Sequence, residues 1–495
     1  MPITFGHSCH QITDDEWAAT PQSVRRVLEY LADELARLRE QVGQTSRNSS
    51  KPPSSDPAHA PKRQKKVTGR KPGGQPGHPG VTRALVPQEQ VSHVKAPIRP
   101  DTCGHCGQAF AETSTDPTPY RHQVWEIPAV CATVTEYRFE TLTCPHCGER
   151  TVPAWPAGIP QGMLGPRAQA LIGACTGHYH LSKRTTAELL NDCFGLAVSE
   201  ATICATEQTI SAALHAPYRA LREAIQYDAR AWMDETGWVQ QRDPDLADVL
   251  SCVETPLRKA WLWILVGLSG TVFGIRRSRG SQVAKDLLGE FSGVVHTDRW
   301  SAYGWLDPDR RQLCWAHLLR DFTKIGERAG EAGALGRQLV EQASLLFDLW
   351  HQYQAGTLTF AAFQGAMAPV QEAVGALLRA GAALVHAPST ARTCRRMLKA
   401  EVSLWTFVRI EAVEPTNNRA ERGIRPGVMY RRRCFGTQTS AGSRYVERVM
   451  TAVATCRQHG RNVLAYLTEV ATAALRSQPP PSLFTQAGQY LFRPP

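Results

Sequence analysis

Three stretches, Ala231-Trp-Met-Asp-Glu-Thr-Gly-Trp-Val-Gln240, Lys259-Ala-Trp-Leu-Trp-Ile-Leu-Val-Gly267 and Thr271-Val-Phe-Gly-Ile-Arg276, decide the fold. Each is short, rich in aromatic and β-branched residues and bounded by turn formers, so each predicts a strand. The second is apolar on both faces, which assigns it a central place in the sheet. A helical pattern follows over Ser281 to Phe291. Next come a short buried strand, Gly293-Val-Val-His-Thr-Asp298, and another at Gln312-Leu-Cys-Trp-Ala-His317, each leading into a helix.

Three meander strands and then alternating helix and strand is the order of a ribonuclease H-like α+β fold. In such a sheet Asp234, on the first strand, and Asp298, ending the fourth, lie side by side. Two adjacent carboxylates at apolar strands repel and resist desolvation, and a divalent cation relieves both penalties. For Asp298 the competing reading is a helix N-cap. Glu235 points to the opposite face by the period of two and is not chosen. Residues 325–412 are Ala- and Leu-rich and predict an all-helical insertion. Beyond it stands Glu414-Pro-Thr-Asn-Asn-Arg-Ala-Glu-Arg-Gly-Ile-Arg-Pro426. Asn418 can cap a helix whose third position is Glu421, so Glu421 reads either as half of a capping box or as a third metal ligand, and the two are compatible. The guanidinium groups of Arg419, Arg422, Arg425, Arg431, Arg432 and Arg433 around it suit a phosphate-lined groove. The catalytic core is thus expected over 229–324 and 413–440. His317 reads as structural or as close to the scissile phosphate.

Upstream, Val24, Leu28, Leu31, Leu35, Leu38 and Val42 recur at alternating steps of four and three, a zipper-like seam within a helix over 14–42. Self-association and packing on its own protein both fit it. Residues 43–98 are rich in Ser, Pro and Gly and carry Lys62, Arg63, Lys65, Lys66, Arg70 and Lys71, which predicts a flexible basic linker able to track phosphates. Within 99–155, Cys103-Gly-His-Cys106 and Cys144-Pro-His-Cys147 supply the four thiolates of a structural zinc ribbon, with strands expected over 123–128 and 134–139. A redox pair is the rival reading. In the helical segment 163–225, the turn at Gly195 and the cap at Ser199 trace a helix-turn-helix. Residues 441–495 form a C-terminal helical element.

At 495 residues the chain is too long for one core and predicts a multidomain protein. Its net charge of +11 favours a polyanionic partner, with nucleic acid leading. Neither a membrane span nor a leader peptide is expected, and reduced cysteines with one metal site suit a cytoplasmic protein.

Five ordered blocks carry a resemblance. They are Asp-Glu-Thr-Gly-Trp (234–238), His-Thr-Asp-Arg-Trp-Ser-Ala-Tyr (296–303), Cys-Trp-Ala-His-Leu-Leu-Arg-Asp-Phe (314–322), Glu-Pro-Thr-Asn-Asn-Arg-Ala-Glu-Arg (414–422) and Thr-Cys-Arg-Gln-His-Gly-Arg-Asn-Val-Leu-Ala-Tyr-Leu (455–467). Together with the Ser-Ser-Lys-Pro-Pro-Ser-Ser-Asp linker (49–56), they resemble the DDE transposases of the insertion sequence 66 family over nearly the whole chain. Arg431-Arg432 stands where that family commonly has Arg-Lys. The resemblance implies an acidic triad carried onto Asp234, Asp298 and Glu421, two magnesium or manganese ions, and cleavage and strand transfer at element ends. It also implies double-stranded DNA as substrate and target, at least a dimer, and small accessory proteins of the same element. Two rivals remain: a non-catalytic DNA-binding regulator derived from such an enzyme, and a plain endonuclease of the same fold.

Overall fold

The computed structural model describes residues 14–45, 48, 84–95, 98–110, 121–241 and 258–484. The basic cluster Lys62, Arg63, Lys65, Lys66, Arg70 and Lys71 lies outside them. The chain forms two compact units, 1–58 with 132–495, and 59–131, so the 99–155 segment is shared between them.

In the larger unit the chain begins with α1 (Asp14–Ala19) and α2 (Gln22–Val42). Val24, Leu31, Leu35, Leu38 and Val42 of the seam are exposed, with no cover from the described residues. After α2, the Asn48 side-chain amide donates to Glu327 at 2.6 Å. Residues 123–128 and 134–139, expected as strands, run extended without entering a ladder. Val124, Trp125, Ile127 and Val134 are exposed, while Phe139 stacks on Trp155 with ring centroids 4.7 Å apart. The strands that do form nearby are β1 (Leu142–Thr143) and β2 (Arg150–Thr151), an antiparallel pair flanking the second cysteine knuckle.

Four helices follow: α3 (Pro166–Gly173), α4 (Lys183–Phe194), α5 (Glu200–Ala213) and α6 (His215–Ile225). The helix-turn-helix pattern has its expected local chemistry. Ser182 caps α4, Gly195 ends it at φ +63, and Ser199 accepts from the Thr202 amide to start α5. A left-handed C-cap suits glycine because no Cβ meets the backbone there.

The central sheet contains β3 (Arg230–Gln240), β4 (Arg258–Val266), β5 (Thr271–Arg276), β6 (Val294–Thr297) and β7 (Arg311–Leu313) in the order β5-β4-β3-β6-β7. The first three pair antiparallel, and β6 and β7 run parallel to β3. The apolar second strand, β4, is interior as expected, paired with β3 on one edge and β5 on the other, while the exact middle belongs to β3. Elements cover β4 on both faces. Leu262 and Ile264 lie under α14 (Asn418–Cys434), and Trp263 meets Tyr303 edge to face. The fifth strand stops at Leu313, because Cys314 already begins the next helix and the Trp315 amide donates to Pro415. Between β5 and β6 lies α7 (Ser281–Leu288), and α8 (Trp315–Gly326) follows β7.

The insertion is helical, with α9 (Gly330–Gln354), α10 (Phe360–Ala382), α11 (Pro388–Lys399), α12 (Glu401–Leu404) and α13 (Thr406–Arg409) around a second core that includes Leu339, Phe363, Met367 and Phe407. The chain then returns through α14 and α15 (Ser440–Gln458) to α16 (Val463–Leu475). Helix α15 lies along the edge strand β5. Thr451 accepts from the Phe273 amide at 2.9 Å, Thr455 from Thr271 at 3.1 Å, and Glu447 from Ile275. Residues four apart on one helix face thus match every second amide of the strand, the ones that point outward.

Two glycines bring α14 onto the sheet. A Cβ on Gly423 would lie 2.7 Å from Ile264, and one on Gly427 would lie 2.2 Å from Leu262. Past the helix, Gly436 has φ +93 and a Cβ there would lie 2.1 Å from the Val239 carbonyl oxygen, where the Thr437 amide closes on β3. Gly436→Ala is expected to cost about 1–3 kcal/mol in denaturant unfolding, because backbone must move. Gly365→Ala, in open space within α10, should instead stabilise by roughly 0.5–1 kcal/mol.

Candidate metal and phosphate site

Cross-strand partners share a face, so Asp234, opposite Ile264, stands on the α14 side, and Glu235, opposite Trp263, stands on the Tyr303 side. The β3–β6 register ends with Trp232 opposite His296, and Asp234 and Asp298 each stand two residues beyond that last pair. Glu421 arrives on the first turn of α14. One tie sets that turn. The buried Asn417 side-chain amide donates to the Met233 carbonyl at 2.7 Å, while its backbone N–H donates to the Cys314 sulfur at 3.2 Å. Cys314 in turn donates its amide to Thr297 at 3.0 Å. Residues adjoining all three acids are therefore bonded to one another.

Asn418 is not the cap. It is the first helical residue, and the capping position belongs to Asn417, whose side chain makes no capping bond. The capping-box reading of Glu421 therefore fails. Instead the Glu421 carboxylate lies 3.6 Å from Arg320, 3.4 Å from His317 Nδ1 and 3.9 Å from the Cys314 sulfur. His317 Nδ1 is buried with no hydrogen-bond partner among the described residues, as is Asn417 Oδ1. Among the described residues, Cys314, His317 and Glu421 are the set whose ligand-type atoms all fall within 4.8 Å of one another. Asp234 and Asp298 stand outside that tight set.

Electrostatics nevertheless link the acids. Burial pushes the Asp234 carboxyl well above its ordinary range, and the neighbouring charges of Glu235, Asp298 and Glu421 push it further, against one stabilising bond from the Glu235 amide. Glu235 is raised mainly by burial and by Asp298, but it has its own counterions: Arg279 at 2.7 Å and the Tyr303 hydroxyl, which donates to it. Behind Asp298, the buried Arg311 guanidinium donates to Thr297 Oγ1 and to the Asp298 carbonyl, both at 2.9 Å. Burial lowers the Arg311 pKa to about 10. Burial also pushes the Cys314 thiol up to about 12, so it is neutral at physiological pH.

The six arginines of the downstream block divide by role. Arg419 pairs with Glu414 at 2.8 Å and lies over the Trp232 ring at 4.4 Å, and Arg431 donates to the Gly237 carbonyl. Arg422, Arg425, Arg432 and Arg433 are exposed. Sequence reasoning does not single out Asn417, Arg311 or Cys314. The doubled Asn417-Asn418 is the available signal, and the local pattern places the cap one residue late.

Each cysteine knuckle has the same local form. Gly107 and Gly148 take φ +72 and +71, and their amides return at 2.9 Å to the carbonyls of Cys103 and Cys144. Amide donors from Cys106 and His105 lower the Cys103 pKa, and those of Cys147 and His146 do the same for Cys144. That favours thiolate, the form a metal binds.

The family model of the transposase IS66 family matches residues 161–445, more than half of the chain. The chain belongs to this family. All three acids, Cys314 and His317 lie inside the match, while the knuckles and the zipper-like helix of this IS66-family protein lie outside it. A model for a family of unknown function matches residues 9–84. The uncharacterized protein y4qI of Sinorhizobium fredii (strain NBRC 101917 / NGR234) is 25% identical over 248 residues, covering 45% of each protein. The match thus spans less than half of that relative. No helix among the described residues is long and apolar enough to cross a membrane.

The sign of the Asp234 shift gives a test. A carboxyl raised in the folded state holds a proton that the unfolded chain releases, so stability falls as pH rises through that interval. Without divalent metal, Asp234→Asn in this IS66-family chain is expected to raise the melting temperature at neutral pH, and the gain should shrink as pH approaches the ordinary carboxyl range. Thermal melts across pH check it.

Proposed function

We propose that this chain is a metal-dependent transposase that cuts DNA at element ends and joins them to a target, with Asp234, Asp298 and Glu421 holding magnesium or manganese. The observation that carries the reading is buried Asp234, held well above the ordinary carboxyl range by burial first and then by the like charges of Glu235, Asp298 and Glu421, a penalty that a divalent cation would relieve. The strand order, three antiparallel and two parallel, supports a ribonuclease H-like core. Carboxylate oxygens are hard donors suited to magnesium, so the residues present fit the ions. When bound there, two such ions would neutralise charge at the scissile phosphate and activate the attacking hydroxyl.

The chain's own groups do the rest. Arg320 holds Glu421 from one side. Arg422, Arg425, Arg432 and Arg433 offer exposed guanidinium groups to phosphates, and the cations of the linker from Lys62 to Lys71 add charge of the same sign. Helices α4 and α5 act as the helix-turn-helix that reads element ends. The four cysteines of the two knuckles bind zinc. The exposed seam of α2 pairs two protomers, which suits a reaction that brings two ends together. Accessory proteins of the same element assist, and the protein works in the cytoplasm.

The deciding experiment incubates the protein with terminal-repeat DNA and magnesium and scores nicked and strand-transferred products. Asp298→Asn and Glu421→Gln should each lower cleavage by at least on the order of a hundredfold while leaving DNA binding intact. An unchanged rate in either sinks the assignment. Binding without any cleavage would point to a regulator, and cleavage without joining to an endonuclease. Separately, chelator-treated protein should alkylate at Cys103 and Cys144 well before Cys314, and added zinc should protect the knuckles. Mass spectrometry of the labelled cysteines reads both.

A further inference from the structure

Helix α11 has two faces of opposite character. Thr390, Ala391, Cys394 and Met397 are buried, and Cys394 and Met397 join the core of the insertion. On the other face Arg392, Arg395, Arg396 and Lys399 are exposed and, with Pro388, line an open cavity of about 490 Å³. The helix carries no acidic residue. None of these four cations is ion-paired among the described residues, and Arg395 has only a 3.3 Å bond to the Ala391 carbonyl of its own helix. Glu401, the next acid along the chain, lies instead with Arg379 around Gly375.

Such a stripe costs stability. Arg392 with Arg396, and Arg395 with Lys399, are like charges four apart, each pair worth roughly 0.2–0.5 kcal/mol against the helix. The helix dipole compensates cations in the last turn, where Arg396 and Lys399 stand, but not Arg392 and Arg395. A polyanion would offset the remainder. From Arg392 to Lys399 the helix rises about 10 Å, the axial reach of roughly three phosphates on one strand of a duplex. The cavity is open and bounded by cations and a proline, with no enclosed polar pocket that would read a base.

We propose that this face of α11 is a duplex-DNA backbone clamp, a non-sequence-specific site within the helical insertion. The site is fixed to the catalytic region, because Arg328, just beyond α8, donates to Ser389 at 3.2 Å and to Thr390 in the first turn of α11. Helix α8 carries His317 and Arg320 beside Glu421. DNA held on α11 is therefore tied through α8 to the acids. The choice of DNA as the polyanion rests on the transposase reading above.

The test uses the full-length chain and a random-sequence duplex, with binding followed by fluorescence anisotropy over a series of potassium chloride concentrations. Replacing Arg392, Arg395, Arg396 and Lys399 together by Ala should flatten the plot of log affinity against log salt by about 0.9 for each phosphate no longer neutralised, on the order of two to four phosphates. Changing the three arginines to Lys should keep most of the slope, since phosphate needs charge more than shape at such a site, and circular dichroism should show all variants folded. A wild-type slope in the Ala variant overturns the clamp and leaves the transposase reading standing. A flattened slope for duplex RNA but not for DNA also overturns it. Failure of the wild-type chain to bind DNA at any salt overturns both.

Discussion

A single asparagine holds the candidate site together. Asn417 donates its side-chain amide to Met233 on β3 and its backbone N–H to Cys314, whose own amide reaches Thr297 on β6. These bonds lie in a buried, low-dielectric region, where each is worth keeping and expensive to leave unmade. They bring three segments far apart in sequence to one point: 233–234, 297–298 and 417–421. The helical insertion, nearly a hundred residues of separate core, can be spliced between the second and third segments because this tie, together with the glycine seam of α14 on β4, fixes the return of the chain.

That construction concentrates negative charge where it is least welcome. Glu235 is offset by Arg279 and Tyr303, and Asp298 is backed by bonds from Arg311 to its own backbone. Among the described residues Asp234 has only an adjacent amide. The arrangement is unfavourable for the metal-free protein and favourable for any cation that binds, the usual opposition between stability and activity at a charged site. The cysteine and imidazole beside Glu421 add a second chemical character. They are softer donors than the aspartates, and the neutral, buried thiol of Cys314 keeps additional anionic charge out of the cluster.

Much of this is legible in the residues. Alternation and turn chemistry locate β3, β4 and β5, the short apolar run locates β6, and Gly195 with Ser199 locates the turn between α4 and α5. Local signals of this kind arise within a few residues, and local physics decides them. What is not legible depends on partners distant in sequence. The apolarity of β4 reads correctly as an interior strand, but the exact middle place of β3 depends on β6 pairing from the far side. Residues 123–128 and 134–139 have strand composition, but no neighbouring edge accepts them. The fifth strand reads too long because the bond from Trp315 to Pro415, a hundred residues away, starts a helix there. The local pattern sets the capping position at Asn418, since only the tertiary bond to Met233 reveals the role of Asn417.

The alliance of α15 with β5 reaches beyond this molecule's own architecture. An edge strand with unspent amides is an invitation to any other extended segment, the standing hazard of an open sheet. Here Glu447, Thr451 and Thr455 occupy the vacant donors from the side, so the sheet cannot be lengthened at β5 by a neighbour's strand. At high local concentration, crowding therefore does not become aggregation by way of β5.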